Sequence, residues 1–399
     1  MPDSHEAANA AMRQQALARA GRILIMDPGL RLGGGHHLPF DQALVAEARR
    51  RGWRVGVVGH REMSPELVAQ RFQPWFRAWT YDQLCDDPIA GWLESHMVAT
   101  QSLLADLDRL PIEPDDLLFW PSATAAQVQA MAVWAAGRLN RVILGIGYGV
   151  GLDRQNAIIS SQAVAWRYAF RALAAMAPAT AVVSWFEGSI DQHRYIAAPL
   201  PVQRVPAAQG GRPVDRRDDG GLVTVGFVGH QRVGKGFLLV PAICQALQAQ
   251  LGERVRFVVH DSSESDEFAA EWESLEALGV EMVRGALSPE EYTALLARLS
   301  VLVAPYNPAA YGSHMSGVVS EAVATALPLV IPAGGDLADV ARRYGAGVAT
   351  FEGWTVEAIV RASAALCLSL PYQAELSLAA AERWNAQNGV GQLFDALEL

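Results

Sequence analysis

The sequence predicts an α/β protein of two doubly wound, parallel-sheet domains, and three observations predict it. Short apolar runs alternate with longer helical patterns along most of the chain, the signature of strands crossed by helices. A glycine-rich turn follows an early apolar run in each half, from Gly29 to His37 and from Gly229 to Gly236. Between the halves, Pro199 to Gly221 reads PLPVQRVPAAQGGRPVDRRDDGG, a Pro-, Gly- and charge-rich stretch without periodicity that marks a linker. The length of 399 residues is also more than one core usually organises.

The elements follow in order. A small-residue helix pattern opens the chain. Arg22 to Met26 is a buried strand, GLRLGGGHH a loop, Pro39 to Arg51 a helix and Val55 to Val58 a second strand, together a βαβ unit. Strands at Leu117 to Trp120, Val142 to Leu144 and Ala181 to Val183 alternate with helices such as Ala125 to Leu139. After the linker come strands at Leu222 to Val228, Val255 to Val259, Val280 to Arg284, Val301 to Ala304 and Pro328 to Ile331. Helices at Phe237 to Gln250, Glu267 to Leu278, Pro289 to Leu299 and Val318 to Ala326 separate them. The expected division is a first domain over 1–205, a linker over 206–221, a second domain over 222–371 and a C-terminal helical segment over 372–399. Ligands of such sheets bind at the carboxyl ends of the strands, so a cleft between the domains is the expected site.

Composition narrows the class. With 51% hydrophobic and 19% charged residues the chain is globular rather than disordered or fibrous. Three cysteines, Cys85, Cys244 and Cys367, have no metal-site spacing and suit a reducing compartment. The first twenty residues lack the apolar centre of a secretory signal, and no run is long enough to span a bilayer; a soluble, cytoplasmic protein is expected. The whole excess of acid in the net charge of −10 falls in the second half. Eight acids between Asp261 and Glu281 meet no base, which reads as a solvated helix. No basic stripe invites nucleic acid. Among 32 basic residues Lys235 is the only lysine, which marks a place where a compact ammonium is wanted.

Three motifs carry chemistry. Gly229-His-Gln-Arg-Val-Gly-Lys235-Gly236 matches the phosphate-binding P-loop pattern until its last position, where Gly236 offers no hydroxyl to magnesium. Such a loop still presents backbone N–H groups at a helix start, with Arg232 and Lys235 in reach of a phosphate. Ser316 and Gly317 stand where a second helix begins, suiting an anion, and Glu321, one turn on, is placed to accept from a diol such as a ribose. Gly33-Gly34-Gly35-His36-His37 lets the backbone approach a ligand closely in the first half. Gly145-Ile-Gly-Tyr-Gly-Val-Gly151 misses the dinucleotide fingerprint at Val150 and reads as a loop. Trp75 and Trp79, in the segment Arg61 to Asp87, suit either a glycan, a membrane or the core.

FVGHQRVGKG, VRGALSPEEYTALLARLSVLVAPY and SGVVSEAVATALPLVIPAGGDLADVARRYGAGV resemble the donor-nucleotide domain of retaining glycosyltransferases of family 4 over about 225–350. ILIMDPGLRLGGGHHLPFDQALVAEARRRGWRV extends the resemblance more loosely to the first half. The resemblance implies the GT-B fold, two Rossmann-like domains facing across a cleft, with the C-terminal helix crossing back to the first. It implies sugar transfer, with retention, from a UDP- or GDP-sugar to a hydroxyl acceptor, glycan or lipid-linked, in polysaccharide or glycoconjugate synthesis, without a required metal or other cofactor. Arg232 and Lys235 then act on the diphosphate, the Ser316, Gly317 and Val318 amides hold phosphate oxygens, Glu321 takes the ribose, and Gly34, Gly35, Gly229 and Ser313 line the donor. Membrane association is at most peripheral. The chain departs from the family pattern in three places. Ser313 stands for the first Glu of the family's Glu-x7-Glu motif, His230 stands where the family arginine falls, with Arg232 as substitute, and WPSATAAQ lacks the family histidine motif. A degenerate protein that binds nucleotide or a partner without turnover is the alternative, and ATP hydrolysis at a P-loop a third reading.

Overall fold

The computed structural model describes residues 21–33, 37–81, 90–147, 149–152, 161–176, 181–184, 190–216, 221–263, 265–312 and 316–399, with the backbone alone at 181–184 and 310. The helix pattern at the start of the chain and Cys85 lie outside them. The chain divides into two compact units, Met1–Pro206 with Val390–Leu399, and Ala207–Gly389.

The first unit carries a 7-stranded sheet in the order β3-β2-β1-β4-β5-β6-β7. Its strands are β1 (Arg22–Asp27), β2 (Arg54–His60), β3 (Gln73–Phe76), β4 (Leu117–Trp120), β5 (Val142–Ile146), β6 (Ala181–Ser184) and β7 (Val202–Arg204). All neighbours are parallel, with Ile23 opposite Val55 on one side and Leu117 on the other. β1, β4 and β5 are buried almost throughout because helices cover both faces. The helix Ala125–Trp134 starts on a capping box in which Thr124 and Gln127 satisfy each other's backbone N–H. Its Ala-rich surface packs Val128 and Met131 against Trp120, Leu144 and Phe170.

The second unit carries a 6-stranded parallel sheet, β10-β9-β8-β11-β12-β13: β8 (Val223–Phe227), β9 (Val255–Asp261), β10 (Glu281–Arg284), β11 (Val301–Val303), β12 (Leu329–Pro332) and β13 (Val348–Phe351). Two clusters form its core. One packs Phe237, Ile243, Phe257, Trp272 and Ile359 on one face of the sheet; the other packs Leu296, Val319, Val323, Leu337 and Trp384. Ser288 and Glu291 form a second capping box at the start of the helix Pro289–Arg298. Cys244 and Cys367 are free and buried. Among the described residues no helix is long and apolar enough to cross a membrane.

Sequence and structure differ at the sheet edges and at the linker. β3, β7 and β13 were not expected, and each is an edge strand only part buried, so none shows a continuous apolar run. The stretch expected as a linker over 206–221 is docked from 207 to 216. Ala207 N–H donates to Asn388 Oδ1 at 2.8 Å and Gly211 N–H to Asn385 Oδ1 at 2.7 Å. Arg216, 3% exposed, donates to the carbonyls of Leu296, Leu299 and Thr325 at 2.6 to 2.9 Å, closing helix ends that would otherwise be left with orphan acceptors. The helix Leu370–Gln387 stays with the second unit, where Trp384 donates to Gln209 O at 2.7 Å. Only from Val390 does the chain rejoin the first unit, where Arg51 pairs with Asp395 at 2.7 Å and donates to Leu399 O at 2.8 Å.

Candidate functional site

In the second unit the strand order reverses between β8 and β11, which lie side by side in mid-sheet. A crevice opens at the carboxyl ends of strands at such a point, and the described site residues expected in this unit gather there. After β8 the chain turns through Gly229, whose φ of +115° only glycine adopts readily. A Cβ on Gly229 would stand 3.1 Å from Val318 Cγ2 and 3.3 Å from Lys235 Nζ, so loop, lysine and helix start meet at one spot. Val233–Lys235 forms a 3-10 turn that ends at Gly236, where φ is +80° and a Cβ would lie 2.0 Å from Pro305 O. Asn307 N–H donates to Gly234 O at 3.0 Å and Trp354 Nε1–H to Pro305 O at 2.8 Å. The loop is thus fixed against the end of β11 by backbone contacts. The long helix begins only at Val240, later than the Phe237 the sequence suggested, and after a left-handed glycine rather than directly after the lysine as a P-loop requires.

From the β11 side comes Tyr306, whose hydroxyl bonds Ser316 Oγ at 3.1 Å and whose ring lies 5.6 Å from Lys235 Nζ. Ser316 is the N-cap residue of the helix Gly317–Ala324, yet its hydroxyl is spent on Tyr306 and caps nothing. The first-turn amides therefore have no side-chain cap among the described residues, and they carry the positive end of the helix dipole. One turn into that helix, Glu321 Oε2 accepts from Tyr292 Oη at 2.8 Å; no other side-chain bond reaches this carboxylate among the described residues.

The electrostatics follow from burial and proximity. Burial, and then the charge of Arg232, bring Lys235 down to about 8, against the opposing pull of Glu321 and Asp261. Burial takes Glu321 up to about 7, against the bond from Tyr292 and the charge of Lys235. Burial and then the charge of exposed Arg232 also lower His230, while burial raises Tyr311 against the pull of the same guanidinium. On the β9 side, buried Asp261 accepts from the Gln231 and Ser263 amides at 3.0 Å each and stands 3.6 Å from His230 Nδ1. Two cations and a helix start without a side-chain cap thus stand near part-buried Glu321, with buried Asp261 on the β9 side, a combination of groups that suits an anion beside hydroxyl donors.

Arg232, Lys235, Gly229, Ser316, Gly317, Val318 and Glu321 thus share one neighbourhood. Gly34, Gly35 and Ser313 lie outside the described residues. Tyr292 and Tyr306 were not singled out from the sequence as site residues. Tyr292 sits in the amphipathic pattern of its helix, where a tyrosine reads as surface or core, and only the packing of that helix beside Gly317–Ala324 brings its hydroxyl to Glu321.

No family description matches the chain, and no curated protein matches it in sequence. Solved structures do. HepE of Anabaena, in complex with UDP and glucose, superposes with a TM-score of 0.62 over 94% of this chain and 98% of its own at 13% identity. The UDP-forming α,α-trehalose-phosphate synthase of Burkholderia xenovorans gives 0.63 over 95% and 98% at 11% identity. WaaG, a glycosyltransferase involved in lipopolysaccharide biosynthesis, gives 0.57 over 94% and 98% at 14% identity. The chain has the fold these proteins share, GT-B, with two Rossmann-like α/β domains. At such identities the likeness defines the architecture, and chemistry is argued from the site.

Proposed function

We propose that the protein is a glycosyltransferase that moves a sugar, with retention, from a UDP- or GDP-sugar to a hydroxyl acceptor in polysaccharide or glycoconjugate synthesis in the cytoplasm. One observation carries the reading: Lys235, Arg232, the uncapped start of Gly317–Ala324 and Glu321 converge at the switch point of the second sheet. A nucleoside diphosphate fits that set. Lys235 and Arg232 neutralise the diphosphate, the Gly317 and Val318 amides bind its oxygens, and the free side of Glu321 accepts the ribose hydroxyls. HepE has been solved with UDP and with UDP-glucose, which supports a uridine donor first. As the glycosidic bond breaks, charge builds on the leaving diphosphate, where preorganised cations and amides stabilise it without a required metal. The acceptor, a glycan or lipid-linked hydroxyl, belongs to the first unit, and any membrane contact is peripheral.

A second reading, nucleotide binding without turnover, is favoured by Ser313, which puts a hydroxyl where the resembling family has a carboxylate. The test is thermal stability with UDP, GDP, ADP and ATP, with and without magnesium, on wild type and Lys235→Ala, because a ligand of the native state raises the midpoint by mass action. A UDP or GDP shift that shrinks in Lys235→Ala is the expected result. A shift confined to ATP with magnesium, or none at all, overturns the donor assignment. Release of UDP from UDP-sugars then separates transfer from binding alone.

A further inference from the structure

In the first unit the strand order reverses between β1 and β4, and a second cluster stands at that point. β1 ends on buried Asp27. Its Oδ1 accepts from Gly29 N–H at 2.9 Å and its Oδ2 meets His37 Nδ1 at 2.6 Å, while His37 Nε2 meets Tyr81 Oη at 2.7 Å. A Cβ on Gly29 would stand 2.2 Å from His37 Cε1, so the imidazole lies against a backbone that only glycine leaves open. One turn along the helix His37–Arg50, Asp41 is 0% exposed, and no donor faces either of its oxygens among the described residues. Burial first, then the charge of Asp27 and a hydrogen bond to it, hold Asp41 well above the usual carboxylate range. The tautomer with its proton on Nδ1, facing the Asp27 carboxylate, leaves the Nε2 lone pair to a hydroxyl donor, and the hydroxyl that stands at Nε2 is that of Tyr81.

Among the described residues the near neighbours are mainly aromatic. The Tyr81 ring, 43% exposed, packs edge-on against His37 at 5.7 Å and against Trp79 at 5.2 Å. Trp79 Nε1–H donates to Gly29 O at 3.3 Å, and the Arg31 guanidinium covers the indole at 5.6 Å while pairing with Glu62 at 2.8 Å.

We propose that Tyr81, Trp79 and the Asp27–His37 couple form a saccharide-binding site, in which His37 Nε2 accepts from a sugar hydroxyl and the Tyr81 ring packs against the apolar C–H face of the sugar. A pyranose joins those two chemistries in one molecule, hydroxyl donors at its rim and C–H groups on its face, and an aromatic ring with a polar edge matches both. The incoming hydroxyl replaces the Tyr81 hydroxyl at Nε2, so one hydrogen bond is exchanged for another of the same kind. Taking this saccharide as the acceptor rests on the transferase reading; the site itself does not.

The test is saturation-transfer NMR of the intact protein with the methyl glycosides of glucose, galactose and mannose, recorded with UDP present. At least one glycoside is expected to receive saturation at its ring C–H protons. Its affinity should fall about threefold to tenfold in Tyr81→Ala, the range set by loss of one aromatic contact. Tyr81→Phe should bind as tightly as wild type or more tightly, because the competing hydroxyl is gone and the ring remains; a merely structural Tyr81 would weaken binding in both variants. No transfer to any glycoside, transfer unchanged in Tyr81→Ala, or weaker binding in Tyr81→Phe overturns the site. The UDP thermal shift, read on the same samples, fails or holds independently, so loss of the donor reading and loss of this site are distinguishable. It also shows that each variant is folded.

Discussion

At the end of β1 the chain places Asp27 and His37 with buried Asp41 one turn along the next helix; at the end of β8 it places Arg232 and Lys235 with Glu321 beyond. Both sites stand where a parallel sheet reverses its strand order, and both use a glycine to admit a neighbour. Their chemistry is opposite. The second-unit site gathers positive charge around a helix start, whereas the first-unit site gathers a carboxylate, an imidazole and aromatic rings around a helix whose first residue is His37. Topology decides where a crevice opens, and the handful of side chains at its lip decides what enters.

The glycines offer the strongest way to break that comparison. At Gly236 a methyl group meets a backbone carbonyl and φ is left-handed, so Gly236→Ala should destabilise the protein by about 3 to 5 kcal/mol. At Gly29 the obstacle is the His37 side chain, which can swing away; Gly29→Ala should cost only about 1 to 2 kcal/mol while releasing the imidazole from Asp27. Chemical denaturation of both variants measures the difference, and equal losses would refute the distinction between backbone and side-chain obstacles.

Next comes Lys235→Ala, expected to weaken UDP by about 2 to 3 kcal/mol, roughly 30-fold to 150-fold, by calorimetric titration, with Arg232→Ala, an exposed cation, costing less. The pH dependence has a definite sign. Lys235 loses its charge above about 8 and Glu321 gains its charge above about 7, so both are charged only between those values. UDP affinity should be greatest in that interval and fall with rising pH above it. The fall below it should be shallower, since a protonated Glu321 still accepts hydrogen bonds. Affinity that climbs steadily through pH 9 would remove Lys235 from the phosphate site.

Asp41→Asn sharpens the other side. Wild type holds Asp41 protonated far above the range where an unfolded Asp ionises, so this residue weakens the fold as pH rises from about 4. The variant should be more stable than wild type by on the order of 1 kcal/mol at pH 7, with the gain vanishing towards pH 4. Thermal scans across that range check it; a constant difference would mean Asp41 is not the titrating group. The smallest effect belongs to Arg298→Ala, whose pair with Glu281, one guanidinium nitrogen donating to both carboxylate oxygens at 2.6 Å, is exposed and should cost about 0.2 to 1 kcal/mol.

Much of this was legible in the sequence because α/β architecture writes itself in periodicity. The buried central strands β1, β4, β5, β8 and β9 show as apolar runs, and Gly229 to Gly236 and Ser316 to Glu321 show as loop-to-helix motifs at their ends. The edge strands β3, β7 and β13 did not show, since one open side removes the need for continuous apolar residues. Arg216 read as linker charge, because nothing in its neighbours reveals that three helix-end carbonyls wait for a guanidinium. Tyr292, Asp41 and Tyr81 were equally silent, each an ordinary residue of its own segment.

The sequence by itself determined the two-unit α/β order, the glycine loop around the single lysine and the carboxylate one turn into the later helix Gly317–Ala324, since those depend on local spacing. Only the tertiary structure decided that Tyr306 would take the capping hydroxyl of Ser316, that Tyr292 would hold Glu321, and that Asp27, His37 and Tyr81, separated by 10 and 44 positions in turn, would form one hydrogen-bonded chain. The physical reason is that hydrogen bonds and desolvation act over a few ångströms in space, and which residues come within that range is set by how the helices pack on the sheet.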